Sequence, residues 1–196
     1  MNFSEYKRLI FSDLYRLEGC ANLRKLLRHV ILGEAYQYIF WMRTVRYLMG
    51  CKLYVKILFY PLARIILRHV TYKLGISIPS DTEIGAGFYI GHFGGIIVND
   101  KCIIGDNCNL SHGVTLGQAN RGKMKGSPKI GNNVYIGPGA KIVGAVQIGN
   151  DVAIGANCVV TKDIPEHSVV VGIPGVVISD QGSVGYINRV DYDAVL

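Results

Sequence analysis

Histidine is the side chain in this sequence best suited to accept a proton near pH 7, because its unperturbed pKa is ~6.5. The chain has five histidines, and two of them, His92 and His112, stand third in a six-residue unit, in IGHFGG and LSHGVT. Such a base can take the proton of a hydroxyl group that acts as a nucleophile. His29 and His69 fall in a basic helical region and are predicted to be surface residues, and His167 is predicted to lie in a loop.

The six-residue unit recurs through the second part of the chain. Aliphatic residues are spaced by six, with a two-residue slip and one longer interruption, at thirteen positions: Ile78, Ile84, Ile90, Val98, Ile104, Leu110, Leu116, Ile130, Ile136, Ile142, Ile148, Ile154 and Val160. Strands alternate by two residues and helices by 3.6, so this period is typical of neither. It predicts a triangular coil of three units per turn, in which the aliphatic residues stack inside and glycine permits the tight corners.

Such a coil brings the two histidines together. Three units separate His92 from His112 once the slip is discounted, so the two occupy the same position on successive turns. Stacked turns lie about 4.8 Å apart, which is the spacing of paired strands, and we therefore expect the imidazoles to be neighbours. A ladder of exposed polar groups without a catalytic role is the alternative explanation.

Residues 1–74 are predicted to be helical, since apolar residues such as Leu23, Leu27 and Ile31 recur at helical spacing. This region holds 13 Lys and Arg against 4 Asp and Glu, a net charge of +9, whereas residues 75–196 hold 8 against 10, a net charge of −2. We expect the helices to cap one end of the coil, or else to rest on an anionic membrane face as basic amphipathic helices. No nucleic-acid-binding motif accompanies the charge, so no nucleic-acid partner is expected.

The remaining segments carry weaker patterns. Residues 118–129 lack the aliphatic anchor and are predicted to form an extruded loop, and residues 179–196 to form a C-terminal tail or a closing strand. The five cysteines have no paired spacing and are expected to be reduced thiols. Charged residues interrupt the N-terminus before any apolar core, so no signal peptide is recognised and a cytoplasmic location is expected, with peripheral contact to the inner membrane face as an option.

The period, the phrase IGPGAKIVGAVQIG at 136–149 and the run VVTKDIPEHSVVVGIPGVVI at 159–178 resemble the hexapeptide-repeat acyltransferases. The helical N-terminal region and the segment YIGHFGGIIVNDKCIIGDNCNLSHGVTLG at 89–117 are most similar to the serine acetyltransferase branch, which also includes sugar-modifying members of the capsule and colanic-acid type. The resemblance covers residues 75–178 and implies a left-handed parallel β-helix. It also implies a homotrimer, or a larger assembly through the N-terminal helices, with acetyl-CoA held between neighbouring prisms.

The resemblance nominates a base for the reaction. Serine acetyltransferases have their general base at the place of His92, and His112 would be an orienting or substrate-contacting partner. The implied reaction is a direct transfer without a covalent enzyme intermediate. A backbone N–H near Gly117 would hold the oxyanion.

The resemblance also implies where CoA would bind. It points to backbone groups at Gly117, Pro138 and Ala156, and to Lys162 as a cation for the nucleotide phosphates. Lys162 could instead be a solvated corner lysine. The loop offers alternative phosphate partners: Lys123, Lys125 and Lys129.

Three departures from the serine acetyltransferase pattern bear on the acceptor. Gly91, Ser77 and Ser127 stand where those enzymes have two aspartates and a histidine that are expected to recognise the amino acid and orient the base. Their absence predicts a sugar hydroxyl as acceptor, in the biosynthesis of a surface polysaccharide such as capsule, O-antigen or exopolysaccharide. Serine O-acetylation for cysteine biosynthesis, or acetylation of an antibiotic or another small molecule, is the alternative.

Two other classes of function stay open. A metal-dependent hydratase on the same fold, like the gamma-type carbonic anhydrases, needs three histidines around zinc, whereas the repeats carry two, so no metal is expected. A non-enzymatic scaffold would leave the two histidines without any role in acetyl transfer.

Overall fold

Four helices form the first part of the structure, a computed structural model that describes residues 1–195. They are α1 (Phe3–Glu18), α2 (Leu23–Leu32), α3 (Ala35–Met49) and α4 (Leu53–Leu74). The side chains of Asn2 and Asn22 cap α1 and α2 by accepting backbone N–H groups of the first turn, at 2.8 and 2.9 Å. Gly75 ends α4 in the left-handed conformation, with φ of 62°, and turns the chain into the first strand.

Short strands then wind into a left-handed parallel β-helix with three sides. Side A consists of β1 (Ile76–Ser77), β4 (Ile96–Val98), β7 (Thr115–Gly117), β10 (Lys141–Val143) and β13 (Val159–Val160). Side B consists of β2 (Glu83–Ile84), β5 (Ile103–Ile104), β8 (Lys129–Ile130) and β11 (Gln147–Ile148). Side C consists of β3 (Tyr89–Ile90), β6 (Asn109–Leu110), β9 (Tyr135–Ile136), β12 (Ala153–Ile154) and β14 (Val169–Val171), closed by the antiparallel β15 (Val176–Ser179).

The aliphatic ladder fills the inside of this prism. All thirteen residues of the six-residue period are at most 7% exposed, and on side C they pair in register, with Ile90 opposite Leu110 and Ile136 opposite Ile154. The same core continues into α3 and α4 through buried residues such as Met42. The predicted β-helix and its helical cap are therefore confirmed.

A buried ion pair joins the helices to the first turn of the prism. Arg43 of α3 donates from Nε to Asp13 Oδ2 of α1 at 3.1 Å, and from its Nη atoms to the carbonyl oxygens of Ile84 and Gly85 at 2.7 and 2.6 Å. The Phe88 N–H donates to Asp13 Oδ1 at 2.7 Å. Both charged side chains are at most 1% exposed. Because every strong donor and acceptor of the pair is bonded, the network fixes how the helices lie on the prism.

The last residues run back along the prism. Beyond β15 the Tyr186 ring stacks on Tyr135 of side C, with centroids 4.3 Å apart, and a short 3₁₀ helix, Tyr192–Ala194, follows. Asp193 then pairs with Arg8 of α1 at 2.8 Å. The strand β15 ends at Ser179, so residues 180–195 of the predicted C-terminal segment form no strand, and they run as a tail against side C and α1.

The other segments are also placed. Residues 118–128 separate β7 from β8 and fold back on themselves through a bridge between Ala119 and Gly126, as expected of an extruded loop. Cys102 and Cys108 are buried free thiols, and burial raises their pKa values to about 11 and about 12, which leaves them unreactive. Over residues 1–195 no helix is long and apolar enough to cross a membrane.

Candidate active site

Both histidines lie on the corner where side C passes to side A. His92 follows β3 by two residues and His112 follows β6 by two, and those strands pair in register, so the histidines occupy equivalent places on successive turns. Their ring centroids are 6.2 Å apart and the ring planes meet at 72°, an edge-to-face arrangement, and both side chains are exposed. The expected contact between the imidazoles is confirmed, while their catalytic roles stay predictions.

The corner that carries His92 is wider than the one that carries His112. The slip in the period adds two residues between β3 and β4, yet side A keeps its register on both turns. Gly94 and Gly95 accommodate the additional residues with φ of 110° and 66°, a region that side chains rarely adopt. The Gly113 N–H donates to the Gly94 carbonyl at 2.7 Å. This hydrogen bond from the next turn therefore fixes the backbone of the corner that carries His92.

The same corner continues beyond the histidines with small side chains. Pro138 follows β9 by two residues and Ala156 follows β12 by two, so both extend the column. The Gly139 N–H donates to the His112 carbonyl at 2.9 Å, and the Asn157 N–H donates to the Pro138 carbonyl at 2.8 Å. The structure thus brings two of the predicted CoA contacts in line with the imidazoles. We call this column, His92, His112, Pro138 and Ala156, the histidine edge.

Gly117 and Lys162 lie at the other edge of side A, which we call the lysine edge. Gly117 ends β7, and Lys162 follows β13 by two residues. The turn at Gly113 and the strand β7 separate His112 from Gly117, so the two lie at opposite edges of side A. Within one chain, therefore, the structure does not bring the predicted oxyanion donor or the predicted phosphate cation next to the imidazoles. A Cβ added at Gly117 would meet the Val143 side chain at 3.6 Å, an ordinary contact, so the surface there is open.

A further cation close to the histidines was missed in the sequence. Lys141 of β10 is half-buried, and its ammonium group donates to the carbonyl oxygen of Gly113 and to Thr115 Oγ1, the latter at 3.1 Å. Gly113 directly follows His112, so a fixed positive charge lies beside the corner. The period itself places Lys141 opposite Thr115, and that pattern could have identified it.

A cavity of about 360 Å³ opens beside the first histidine. Ile90 and Gly91 line it from the prism, and Arg28, His29 and Glu34 line it from the helices. Arg28 and Glu34 therefore place a positive and a negative side chain in the wall of this cavity, which reaches Gly91, the residue directly before the candidate base. This pocket depends on how the helices pack against β3, which the six-residue period does not encode.

His29 is one wall of this cavity and is not a simple surface residue. Its Nε2 lies 2.7 Å from Glu18 Oε1, and its ring packs edge to face on Tyr36 with centroids 6.0 Å apart. Hydrogen bonds from Lys25 and from His29 hold the pKa of the Glu18 carboxyl below its ordinary value. The prediction that His29 is a surface residue was wrong, because Glu18 of α1 and Tyr36 of α3 contact its ring. His69 is exposed, as expected.

The three departures from the serine acetyltransferase pattern lie in different places. Gly91 adjoins the candidate base, and a Cβ built on it would meet the Tyr89 ring at 3.4 Å, so a side chain fits there. Ser77 is exposed in β1. The Ser127 hydroxyl donates to Asn99 Oδ1 at 2.9 Å.

The described residues, 1–195, contain no group of three His, Cys, Asp or Glu side chains that could hold a metal ion. The pair of imidazoles is therefore without a third ligand from its own chain, and the metal-dependent alternative gains no support from these side chains.

Comparison with known proteins connects this geometry to a family. Residues 127–162 match the family described as bacterial transferase hexapeptide (six repeats). The chain is 40% identical over 123 residues to the serine acetyltransferase of Staphylococcus xylosus, covering 63% of this chain and 57% of that protein. It is 41% identical over 130 residues to the serine acetyltransferase of Bacillus pumilus, covering 66% and 59%. The chain thus spans less than two thirds of the length of these relatives.

A solved structure extends the similarity to the helices. The serine acetyltransferase of Brucella abortus strain S19, in complex with coenzyme A, superposes with a TM-score of 0.75 at 25% identity. The alignment covers 92% of this chain and 70% of that one. This likeness includes the N-terminal helices as well as the left-handed β-helix.

These findings correct the predicted acceptor. The prediction of a sugar hydroxyl as acceptor, and with it of a role in polysaccharide biosynthesis, was wrong, because the similar proteins and structures are serine acetyltransferases. The prediction rested on three side chains that serine acetyltransferases have and that this chain lacks, at Gly91, Ser77 and Ser127. The absence of these groups does not by itself identify a different substrate. The helices, which lie outside the repeats, supply polar groups near the candidate base. The comparison of motifs did not include these groups. By its repeats and these similarities, the chain is similar to the hexapeptide-repeat transferases.

Proposed function

We propose that this chain is an acetyl-CoA-dependent O-acetyltransferase whose acceptor is L-serine. The observation that carries the proposal is the pair of exposed imidazoles, 6.2 Å apart, at the head of an open column of small side chains. Relatives of about 40% identity are serine acetyltransferases, which supports both the reaction and the acceptor.

In the proposed reaction, His92 takes the proton of the acceptor hydroxyl as that oxygen attacks the thioester carbonyl carbon. The carbon–sulfur bond then breaks, the acetyl group stays on the acceptor oxygen, and the protonated imidazole returns its proton to the departing thiolate. His112 packs against the base and would limit the orientations of its ring. Lys141 places a fixed positive charge beside this corner, where negative charge develops.

The binding site for CoA is proposed to lie between neighbouring copies of the chain in a trimer. One chain carries the histidine edge and the lysine edge on opposite sides of its side A. Threefold packing would set the histidine edge of one chain against the lysine edge of the next. Pro138 and Ala156 would then line one wall of the groove, and Gly117 and Lys162 the other. The bound form of the Brucella abortus enzyme supports CoA as the ligand.

The acceptor is proposed to enter the cavity beside Gly91. Arg28 can pair with the carboxylate of an amino acid and Glu34 with its ammonium group, since both side chains line this space. These groups would replace the aspartate that the resemblance places at Gly91. The cytoplasmic location expected from the sequence stays a prediction.

The test is release of free thiol from acetyl-CoA, followed with a thiol-reactive dye, in the presence of L-serine, D-serine, L-threonine or a simple sugar. We expect L-serine to give the highest kcat/KM. Arg28→Gln should raise KM for L-serine by about tenfold or more, because a charged hydrogen bond contributes about 1.5–3 kcal/mol. Arg24→Gln is the matched control, since Arg24 is exposed on the same helix and does not line the cavity. Thiol release that is indifferent to L-serine would refute the proposal.

A further inference from the structure

The outer face of α4 is unusually apolar for a surface. Ile57, Leu58 and Ile65 are 67%, 69% and 67% exposed, and further large apolar side chains are exposed on the same helix. These are Leu53, Tyr54, Phe59, Leu62 and Tyr72. A contiguous apolar surface of this kind on a folded protein marks an interaction site.

Packing fixes which face of α4 points outwards. Ala63, Leu67, Val70 and Leu74 are buried and belong to the core shared with the prism. The exposed apolar residues therefore cannot rotate inwards without emptying that core. Within the described part of the chain, nothing covers them.

The charges on this helix are all of one sign. It carries Lys56, Arg64, Arg68 and Lys73, with Lys52 just before it, and no acidic residue. The sequence has no Asp or Glu anywhere between positions 34 and 81. A second copy docked face to face would bring these like charges together, because a twofold contact sets the same patch against itself. An anionic surface is the complementary partner.

A cavity at the C-terminal half of α4 provides a place for an anion. Its volume is about 640 Å³, and Arg64 and Arg68 line it from the helix, with Thr71, Ser77 and Ser80 also in the wall. The Ser80 hydroxyl is buried and has no hydrogen-bond partner among residues 1–195. Arg64 and Arg68 supply the positive charge that an anion in this cavity needs.

We propose that the outer face of α4 lies on a bilayer that contains anionic phospholipid, with a lipid phosphate in the cavity between Arg64 and Arg68. The apolar residues enter the boundary between headgroups and acyl chains, and the flanking cations remain at headgroup level. This arrangement needs no membrane-spanning helix. The residues changed in the test below, Ile57, Arg64 and Arg68, lie neither on the histidine edge nor on the lysine edge, and they do not line the cavity beside Gly91.

The experiment is flotation of the full-length protein with vesicles at physiological salt. Vesicles of phosphatidylcholine mixed with phosphatidylglycerol should bind the protein, and vesicles of phosphatidylcholine alone should not. The double change Arg64→Gln, Arg68→Gln should lower the partition coefficient by about thirtyfold, and Ile57→Asp should also reduce it. Lys101→Gln and Val184→Asp are matched controls at exposed sites away from α4 and should bind like the unchanged protein.

The outcomes distinguish a lipid bilayer from another copy of the chain as the partner of this face. All variants should release thiol at the unchanged rate without vesicles, which shows that they are folded. Absence of binding to the anionic vesicles, or equal binding by the α4 variants and the controls, would overturn the proposal. A fall in the mass of the assembly with Ile57→Asp, measured by light scattering, would assign the face to another copy of the chain and would also overturn it.

Discussion

A mixture of two inactive variants should regain activity if each active site is built from two chains. The first variant, His92→Asn, removes the candidate base from the histidine edge. The second, Gly117→Phe, adds a large side chain at the lysine edge, where an added Cβ has ordinary contact with Val143 at 3.6 Å. Each variant alone should be inactive, because every site in its trimer carries the same lesion.

The expected recovery follows from the geometry. The two edges lie on opposite sides of side A, so in a threefold ring each site takes its histidine edge from one chain and its lysine edge from the next. In trimers assembled at random from equal amounts, half of the histidine edges and half of the lysine edges are intact. About one quarter of the sites then have both, and the mixture should show about one quarter of the normal activity per chain.

The assay is thiol release from acetyl-CoA by trimers co-expressed with two different tags and purified through both. This purification removes the homotrimers, and each remaining trimer has one intact site of three, so the purified trimers should show about one third of the normal activity. Purified parent trimers mixed afterwards serve as the control, and they should stay inactive until their chains exchange. Lys162→Glu provides a second lysine-edge variant should Gly117→Phe hinder assembly. If the co-expressed mixture has no more activity than its parents, each site lies within one chain and the assignment of the two edges is refuted.

Two further predictions concern the acceptor and the stability of the fold. Gly91→Asp restores the carboxylate that serine acetyltransferases have before their base, and a side chain fits there beside the neighbouring tyrosine ring. This substitution should therefore lower KM for L-serine. An unchanged or higher KM would contradict the proposed acceptor position. Arg43→Met leaves the buried Asp13 carboxylate without its partner and should lower the free energy of unfolding by about 3–5 kcal/mol in urea titration. Arg8→Met, at the exposed pair with Asp193, is the matched control and should cost about 1 kcal/mol or less. Equal losses in the two variants would show that the buried pair does not hold the helices on the prism.

The stacking of the prism could be predicted from the sequence because it depends on local spacing. Each aliphatic residue of the period meets its equivalent one turn away, so the register of Ile90 with Leu110 follows from counting. The contact between His92 and His112 follows in the same way, once the slip at the wide corner is recognised. In a β-helix, residues that are distant in sequence become neighbours through one repeated step.

The surroundings of the candidate base could not be predicted by the same reasoning. The cavity beside Gly91 is formed between the helices and β3, and the helical period shows that the helices exist but not where they pack. For this reason Arg28 and Glu34 were not identified, and His29 was taken for a surface residue. The acceptor was predicted wrongly because only the repeats were compared, and three missing side chains were treated as the whole of the acceptor site.

The central claim is that His92 is the base that removes the acceptor proton, and the most direct measurement is kcat of His92→Asn with acetyl-CoA and L-serine both saturating. A positioned base contributes about 10²–10⁴-fold, so we predict a loss of that size in kcat, with KM for acetyl-CoA nearly unchanged. His112→Asn, at the equivalent place one turn away, should lose less. If His92→Asn keeps kcat within about threefold of the unchanged enzyme, or if the whole loss appears in KM, His92 is not the base.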